Sequence, residues 1–326
     1  MQSNIVSDIP GMATLTDPLL VNPWGMSFLP TSPLWTSNQG TSTASLFSGA
    51  PPAVPPAIVP LVVRIPGGPP TGQVANATGS TTAFPVTGSL GTGTARFIFA
   101  TLGGAIAAWT PAAEATDAVI VGGAPGAAYT GLTMISTPSG PELLAANFAQ
   151  GRIDVFDSSF TRLDTPGLFR GINIPKGFAP FNVQALGNFV YVAYAKVDPA
   201  TGRSVDGRGL GFVTRFTLDG KHWKRIAARG ELNGPWGLAL VPAGFGSLTG
   251  KLLIGNFGDG RIGVYEPNKW HFRDFLRGEN GRPVQIERLW ALLPGTATTG
   301  GTDAIWFSAG IGNETHGLVG TFKAAH

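Results

Sequence analysis

No cysteine occurs among the 326 residues, which excludes disulfides and thiolate sites without assigning a compartment. Charge is scarce at 13% of residues, and the net charge is only +3. Lys and Arg are scattered singly, and the densest group, from Lys221 to Arg229, falls on an expected outer strand. The clustered basic face that nucleic acid requires is missing, so no nucleic-acid partner is expected. No apolar run is long enough to cross a bilayer. The richest, residues 57–65, is broken by Pro60 and Arg64, and no membrane span is expected. Helical periodicity beyond two turns is nearly absent. Catalytic signatures are absent as well: no Gly-x-Ser-x-Gly, no Gly-Lys-Ser/Thr and no His-Glu-x-x-His.

Glycine (47), proline (27) and a hydrophobic content of 43% are what the chain does have. They are organised by one stretch, residues 234–267. Pro235-Trp236-Gly237-Leu238-Ala239-Leu240-Val241 reads as a strand opened by proline, which costs no ladder donor at a first position. Gly237 marks a place where another backbone comes close. Leu252-Leu253-Ile254-Gly255-Asn256-Phe257 is an apolar run ending in Gly258-Asp259-Gly260, a hairpin signal. Arg261-Ile262-Gly263-Val264-Tyr265 alternates and stops at Pro267, and a more polar strand, 270–276, can follow. Such a four-stranded antiparallel meander cannot bury both faces alone.

Degraded copies recur along the chain. Opening triplets are Pro23-Trp24-Gly25, Pro70-Thr71-Gly72, Tyr129-Thr130-Gly131, Pro180-Phe181-Asn182, Pro235-Trp236-Gly237 and Arg288-Leu289-Trp290. Their third positions, 25, 72, 131, 182, 237 and 290, are separated by 47, 59, 51, 55 and 53 residues. The second strands end at Asn38, Thr101, Asn147, Tyr194, Asn256 and Ala309. The fold class is therefore all-β: a six-bladed β-propeller of four-stranded antiparallel blades, occupying residues 1–326 as a single domain. A stacked β-solenoid would show shorter repeats and ladders of identical residues. The last repeat has only three clear strands, and residues 4–9 are expected to complete it against 317–323, closing the ring by the N-terminal strand and removing an exposed edge. Two long loops stand out, the Pro-rich 48–56 and the polar 196–211 between the second and third strands of blade 4, the latter expected to lie over the channel mouth as a lid or docking loop.

Asn22-Pro23-Trp24-Gly25, Gly255-Asn256-Phe257-Gly258-Asp259-Gly260-Arg261 and Asn313-Glu314-Thr315-His316-Gly317-Leu318 together resemble a group of uncharacterised bacterial exported β-propellers, many with a C-terminal sorting signal. The resemblance runs over nearly the whole chain and implies six blades and export, to a secreted or periplasmic location. It departs at Lys323-Ala324-Ala325-His326, which carries no sorting segment, while Met1-Gln2-Ser3 reads as a start on a trimmed mature chain without a signal peptide. More distantly the repeat is similar to NHL-type propellers and to the gluconolactonase and streptogramin-lyase superfamily, some of which bind a divalent metal at the channel mouth. That similarity lies at the level of fold.

In a propeller the starts of the inner strands and the turns between second and third strands share one face. Trp24, Phe181, Tyr194 and Trp236 are the candidate ligand-binding residues there; the two indoles suit a flat ligand or instead wedge between blades. Asn38, Asn147, Asn256 and Glu314 form a candidate oxygen set for calcium or magnesium, each Asn alternatively ending its strand by bonding the adjacent turn. If the protein is an enzyme, His316, Glu314 and Asp259 are its candidate catalytic residues; as a loop residue, His316 can equally be satisfied by backbone. His222, His271 and His326 read as surface. Asn76-Ala77-Thr78 and Asn313-Glu314-Thr315 fit the glycosylation pattern. The expected function is an exported, monomeric, non-catalytic propeller binding a small molecule, glycan or protein at its mouth. The alternative is a metal-dependent hydrolase or lyase of the lactonase type, although such enzymes place more carboxylates in the channel than this sequence offers.

Overall fold

The computed structural model describes residues 1–50, 54–171, 173–266 and 271–324. Six small antiparallel sheets form a six-bladed β-propeller. Blade 1 contains Pro23–Ser27, Leu34–Asn38, Thr43–Ala50 and Val54–Arg64. Blade 2 contains Pro70–Ala75, Phe97–Thr101, Ala105–Trp109 and Val119–Gly123. Blade 3 contains Tyr129–Thr137, Gly140–Asn147, Arg152–Phe156 and Arg162–Leu163. Blade 4 contains Phe178–Leu186, Phe189–Lys196, Gly211–Thr217 and Trp223–Ala228. Blade 5, the template repeat, contains Pro235–Leu240, Leu252–Asn256, Ile262–Tyr265 and Phe272–Phe275. Its fourth strand was expected from Trp270, which lies outside the described residues, as do Pro267, His326 and part of the Pro-rich loop.

Blade 6 contains Leu289–Pro294, Ala304–Ala309 and Leu318–Lys323, and Gln2–Ser7 completes it antiparallel to the last of these. Closure by the N-terminal strand is thus present, shifted two residues toward the N-terminus from the expected 4–9. Leu15–Thr16 then adds in parallel outside it. Side chains fix the register: Ser7 donates to the Gly317 carbonyl at 2.7 Å, and Asp8 accepts from the Gly317 amide at 2.8 Å while its other oxygen lies 2.7 Å from His316 Nδ1.

The longest repeat step, between residues 72 and 131, has a local cause. Between the first two strands of blade 2 the chain makes a separate hairpin, Pro85–Gly88 with Gly91–Thr94, and buries Phe84 and Val86 beneath it.

One irregularity recurs in all six blades. Near the start of each inner strand, the strand carries one residue more than its neighbour, a β-bulge. The rungs before the bulge are Pro23 with Asn38, Pro70 with Thr101, Tyr129 with Asn147, Pro180 with Tyr194, Pro235 with Asn256 and Leu289 with Ala309. The sixth opening triplet is therefore Leu289-Trp290-Ala291, one residue later than the sequence alignment placed it. Blade 6 lacks both the opening proline and the glycine that anchor that alignment elsewhere.

The residue after the bulge explains the recurrent glycine. A Cβ on Gly25 would lie 2.6 Å from the Thr71 carbonyl oxygen, on Gly72 2.3 Å from the Leu132 amide, and on Gly237 2.6 Å from the Trp290 carbonyl oxygen. Each of these glycines lets the inner strand of the next blade press against its own. Blade 4 has Asn182 at this position, and its side-chain amide donates to the Trp236 carbonyl of blade 5 at 2.8 Å.

Two outcomes follow from this architecture. Removing residues 1–8 strips the closing strand and its Ser7 and Asp8 clamp, so a lowered melting temperature or edge-driven aggregation is expected in thermal denaturation and light scattering. Unchanged melting would refute the closure. All four tyrosines (Tyr129, Tyr191, Tyr194 and Tyr265) are held above the ordinary phenol value of 10, chiefly by burial, with the Asp154 charge adding at Tyr129 and the Glu231 charge at Tyr265. The unfolded chain releases these protons near pH 10 while the folded one keeps them. The stabilisation is therefore complete below that pH and lost as pH rises beyond it. Tyrosinate absorbance should appear only together with unfolding; a gradual rise in the folded protein near pH 10 would contradict the burial of these phenols.

Candidate functional site

At its bulge each blade places one side chain on the axis: Trp24, Thr71, Thr130, Phe181, Trp236 and Trp290, all at most 5% exposed. The four aromatics meet across the ring. Trp24 stacks on Trp290 with centroids 3.5 Å apart, and meets Trp236 and Phe181 edge-on at 6.3 and 6.4 Å. Phe257 stacks on Trp290 at 4.1 Å, and Phe148 lies 5.1 Å from Phe181. The indole of Trp236 donates to the Thr130 carbonyl of blade 3 at 2.9 Å, and that of Trp290 to Asn22 Oδ1 at 2.8 Å. The channel is plugged. Beyond the plug lies a cavity of only about 20 Å³ that includes Gln73 and Asn182 in its wall.

Above the plug the mouth holds a polar well of about 280 Å³. Phe257 forms its floor, with the Arg288 guanidinium 4.7 Å above the ring. Arg288 donates to Asn313 Oδ1 at 2.9 and 3.2 Å and to Asp206, while Arg203 pairs with Glu314. Glu314 also accepts from Asn22 at 3.1 Å. Arg203 and Asp206 belong to the 196–211 loop of blade 4, which therefore reaches the residue before the first strand of blade 6 and the loop after its second strand. The loop lies at the mouth, where its blade position had placed it. The loop is held at its far end by the Gly207 amide donating to Asn233 Oδ1 at 2.7 Å.

The mouth also concentrates backbone strain. Asn22, Arg288, Asn313 and Glu314 all have positive φ, at 47°, 52°, 54° and 71°. Asn tolerates this region, but Arg and Glu do not favour it. Glu287 supports the strained loop by accepting from the Asn313 and Gly312 amides at 2.7 and 3.1 Å.

The other sequence candidates take different roles. Trp24, Phe181 and Trp236 form the plug, so their rings are spent on one another. Tyr194 is 3% exposed and faces a separate cavity between blades 3 and 4. Asn38 accepts from Thr36 at 2.9 Å and donates to Ser45 at 2.8 Å, within its own blade. Asn147 accepts from the Gln150 amide at 3.1 Å and donates to Asp154 at 2.7 Å. Asn256 accepts from the Asn233 amide at 3.1 Å and donates to the Glu231 carbonyl at 2.8 Å. Each amide oxygen thus already receives a proton donor from its own strand or turn or from a neighbouring loop. Among the described residues no cluster of three or more His, Asp or Glu could hold a metal ion.

Of the candidate catalytic residues, His316 serves the closure through Asp8. Asp259 accepts from the Arg261 side chain at 2.8 and 3.1 Å, and Glu314 alone belongs to the well. Arg203 and Arg288 were missed by sequence reasoning. A cue for Arg288 was its position directly before an inner strand, where other blades have Asn22, Ala128 or Gly234.

Plug, mouth and closure define a β-propeller whose axis is sealed and whose accessible chemistry lies in its loops. No family model matches the chain. It aligns over 321 residues, 97% of its length, at 30% identity with "Uncharacterized protein R648" of Acanthamoeba polyphaga mimivirus, covering 78% of that protein. The chain belongs to the same family. A second protein of that virus, "Uncharacterized protein L690", is 38% identical over 186 residues, 55% of this chain and 48% of its own length. The motif resemblance had pointed to a bacterial family; the relatives found are viral, and the propeller fold is what stands. Among solved structures, a glucose dehydrogenase superposes with TM-score 0.56 at 13% identity over 100% of both chains. Virginiamycin B lyase from Staphylococcus aureus gives 0.51 at 12%, covering 93% of this chain and 95% of that one. These similarities show the fold alone. No helix among the described residues is long and apolar enough to cross a membrane.

Trp24→Ala should cost about 3–5 kcal/mol, the usual range for deleting a large buried aromatic, read by urea denaturation; a loss below about 1 kcal/mol would mean the plug is loosely packed. Asn256→Ala should cost on the order of 1 kcal/mol, equally with calcium, with magnesium or with chelator. An ion-dependent difference in melting would return Asn256 to a metal site.

Proposed function

We propose that this chain is a non-catalytic binding propeller that takes a small, carboxylate-bearing molecule in the well above the aromatic plug, beneath the 196–211 loop. The observation that supports it is the meeting of Arg203, Asp206, Arg288, Asn313 and Glu314, from separate parts of the chain, around about 280 Å³ of open space. Two guanidiniums there are answered by two carboxylates of the protein itself. The Arg203 side chain is 67% exposed, and an ion pair in that setting contributes little to stability. A ligand carboxylate can therefore replace Glu314 or Asp206 as the loop lifts, with bidentate geometry available at each arginine. The strained backbone at Arg288 and Glu314 supports the same reading, since such conformations cluster at ligand clamps.

A small charged molecule fits better than a glycan, because the tryptophans that could stack on a sugar are buried in the plug. It also fits better than a protein segment, which the well is too small to admit. The lactonase-type alternative would recruit His316, Glu314 and Asp259, each of which has a structural partner. The lyase and dehydrogenase that share the fold add no residue to that case. Export belongs to the proposal as well and rests on motif resemblance.

The test is a thermal-shift titration with succinate and citrate. Binding to the native state raises stability by mass action, by about 2.7 kcal/mol at a hundredfold excess over Kd. A rise in melting temperature that Arg288→Ala abolishes, and that replacement of residues 197–210 by a two-residue turn alters without unfolding the ring, is expected. No shift with either anion, or the same shift in Arg288→Ala, would refute the reading. An unfolded loop-shortened variant would show that the loop is part of the packing and not a lid.

A further inference from the structure

A larger cavity, about 880 Å³, lies between blades 3 and 4 and shares no lining residue with the well. Residues 164–171 and 173–176, between the two blades, form one wall, and the size of the cavity matches that of small-molecule sites. Five cationic side chains line it: Arg152, Arg162, Arg170, Lys176 and Lys221. Only two carboxylates answer them, Asp154 and Asp164.

Asp154 is already committed. Its side chain is 2% exposed and accepts from Tyr129 at 2.9 Å, Asn147 at 2.7 Å and Arg152 at 2.6 Å, with Arg162 at 3.9 Å. It neutralises the inner end of the cavity. Among the described residues, Arg170, Lys176 and Lys221 have no carboxylate partner within 4.0 Å. Three cations without a carboxylate partner, all on exposed residues, line one open cleft and together attract a multiply charged anion.

Tyr194 supplies an independent observation. It is 3% exposed and lines this cavity, and its hydroxyl, beside the Gly171 backbone amide, has no hydrogen-bond acceptor among the described residues. A buried donor left unpaired is costly. Burial also raises its proton affinity, so the phenol remains a donor at neutral pH. It lacks an acceptor, and an anion oxygen is one. The indole of Trp223, 37% exposed, forms part of the same lining and offers an apolar surface for a ring.

We infer that the cavity between blades 3 and 4 binds a small molecule carrying two or more phosphate groups, held by Arg170, Lys176 and Lys221 and by a hydrogen bond from the Tyr194 hydroxyl. This site is independent of the mouth and of the carboxylate reading there.

The experiment is isothermal titration of the full chain with inorganic pyrophosphate and with ADP. Saturable binding is expected, weakened about tenfold or more in the Lys176→Ala/Lys221→Ala variant, consistent with losing charge-assisted bonds, and weakened in about 0.5 M sodium chloride. Tyr194→Phe should weaken binding about fivefold while moving the melting temperature little, because the hydroxyl has no acceptor to lose in the fold. A purely structural Tyr194 would give the opposite pattern. Arg288→Ala, at the mouth, should leave phosphate binding intact, so failure of one site is distinguishable from failure of the other. If ADP binds more tightly than pyrophosphate, and Trp223→Ala removes the difference, the ligand is a nucleotide; equal affinities assign an inorganic or ring-free phosphate. No binding of either probe at millimolar concentration, or equal binding by the double-lysine variant, overturns the inference.

Discussion

The structure depends on one contact repeated around the axis, where the bulged inner strand of each blade presses on the inner strand of the next. The extra residue turns a side chain inward, and the small residue after it lets the neighbouring backbone approach. A Cβ on Gly72 would sit 2.3 Å from the Leu132 amide, so the spacing of blades 2 and 3 is fixed by the absence of one carbon atom. Where blade 4 has Asn182 in this position, its amide replaces bare contact with a hydrogen bond to blade 5. Blade 6 has Ala291, and there Ser308 donates to the Trp24 carbonyl of blade 1 at 2.6 Å. Three chemistries thus satisfy one steric demand, and the ring closes because all six junctions meet it.

That demand also decides where function can lie. Six inward side chains, four of them aromatic, fill the axis, and a filled axis cannot serve as a channel. What remains is a rim built by loops. The 196–211 segment crosses to blade 6 and faces a strained loop, so its charges assemble at the mouth only because the ring brings blades 4 and 6 to one opening. The linker between blades 3 and 4 behaves differently. It anchors Phe169 in the core between the two blades and borders a cationic cavity whose one deeply buried carboxylate, Asp154, is fully engaged. A sealed axis with chemistry in its loops accords with how widely the fold is shared among proteins of different printed activity, at identities that carry no site across.

The repeat was legible from sequence because it is a matter of local chemistry. Proline, aromatic and glycine in succession at near-constant spacing announce an inner strand, and Asp259-Gly260 announces its hairpin. The closing strand was legible by elimination, since the last repeat lacked a partner. The site was much less legible. Asn38, Asn147 and Asn256 recur at one position, and repetition suggested a shared ligand, yet each bonds within its own turn or to a loop beside it. Periodicity records what every blade needs for itself, whereas a site arises where blades differ. Arg203 lies in a loop that no other blade has, and Arg288 departs from what the other blades hold at its position, so no shared feature marked either.

Sequence by itself therefore determined the all-β class, the six blades, the ring closure and the position of the long loop of blade 4, because strand patterning, turn residues and repeat length act over a few residues. Tertiary structure alone decided that the tryptophans face one another and not a ligand, that Glu314 meets Arg203 across 111 positions of sequence, and that Tyr194 opens into a cleft between blades. Those outcomes depend on inter-blade distances of a few ångströms. Such distances follow from the packing of all six bulges at once, and no single segment encodes them.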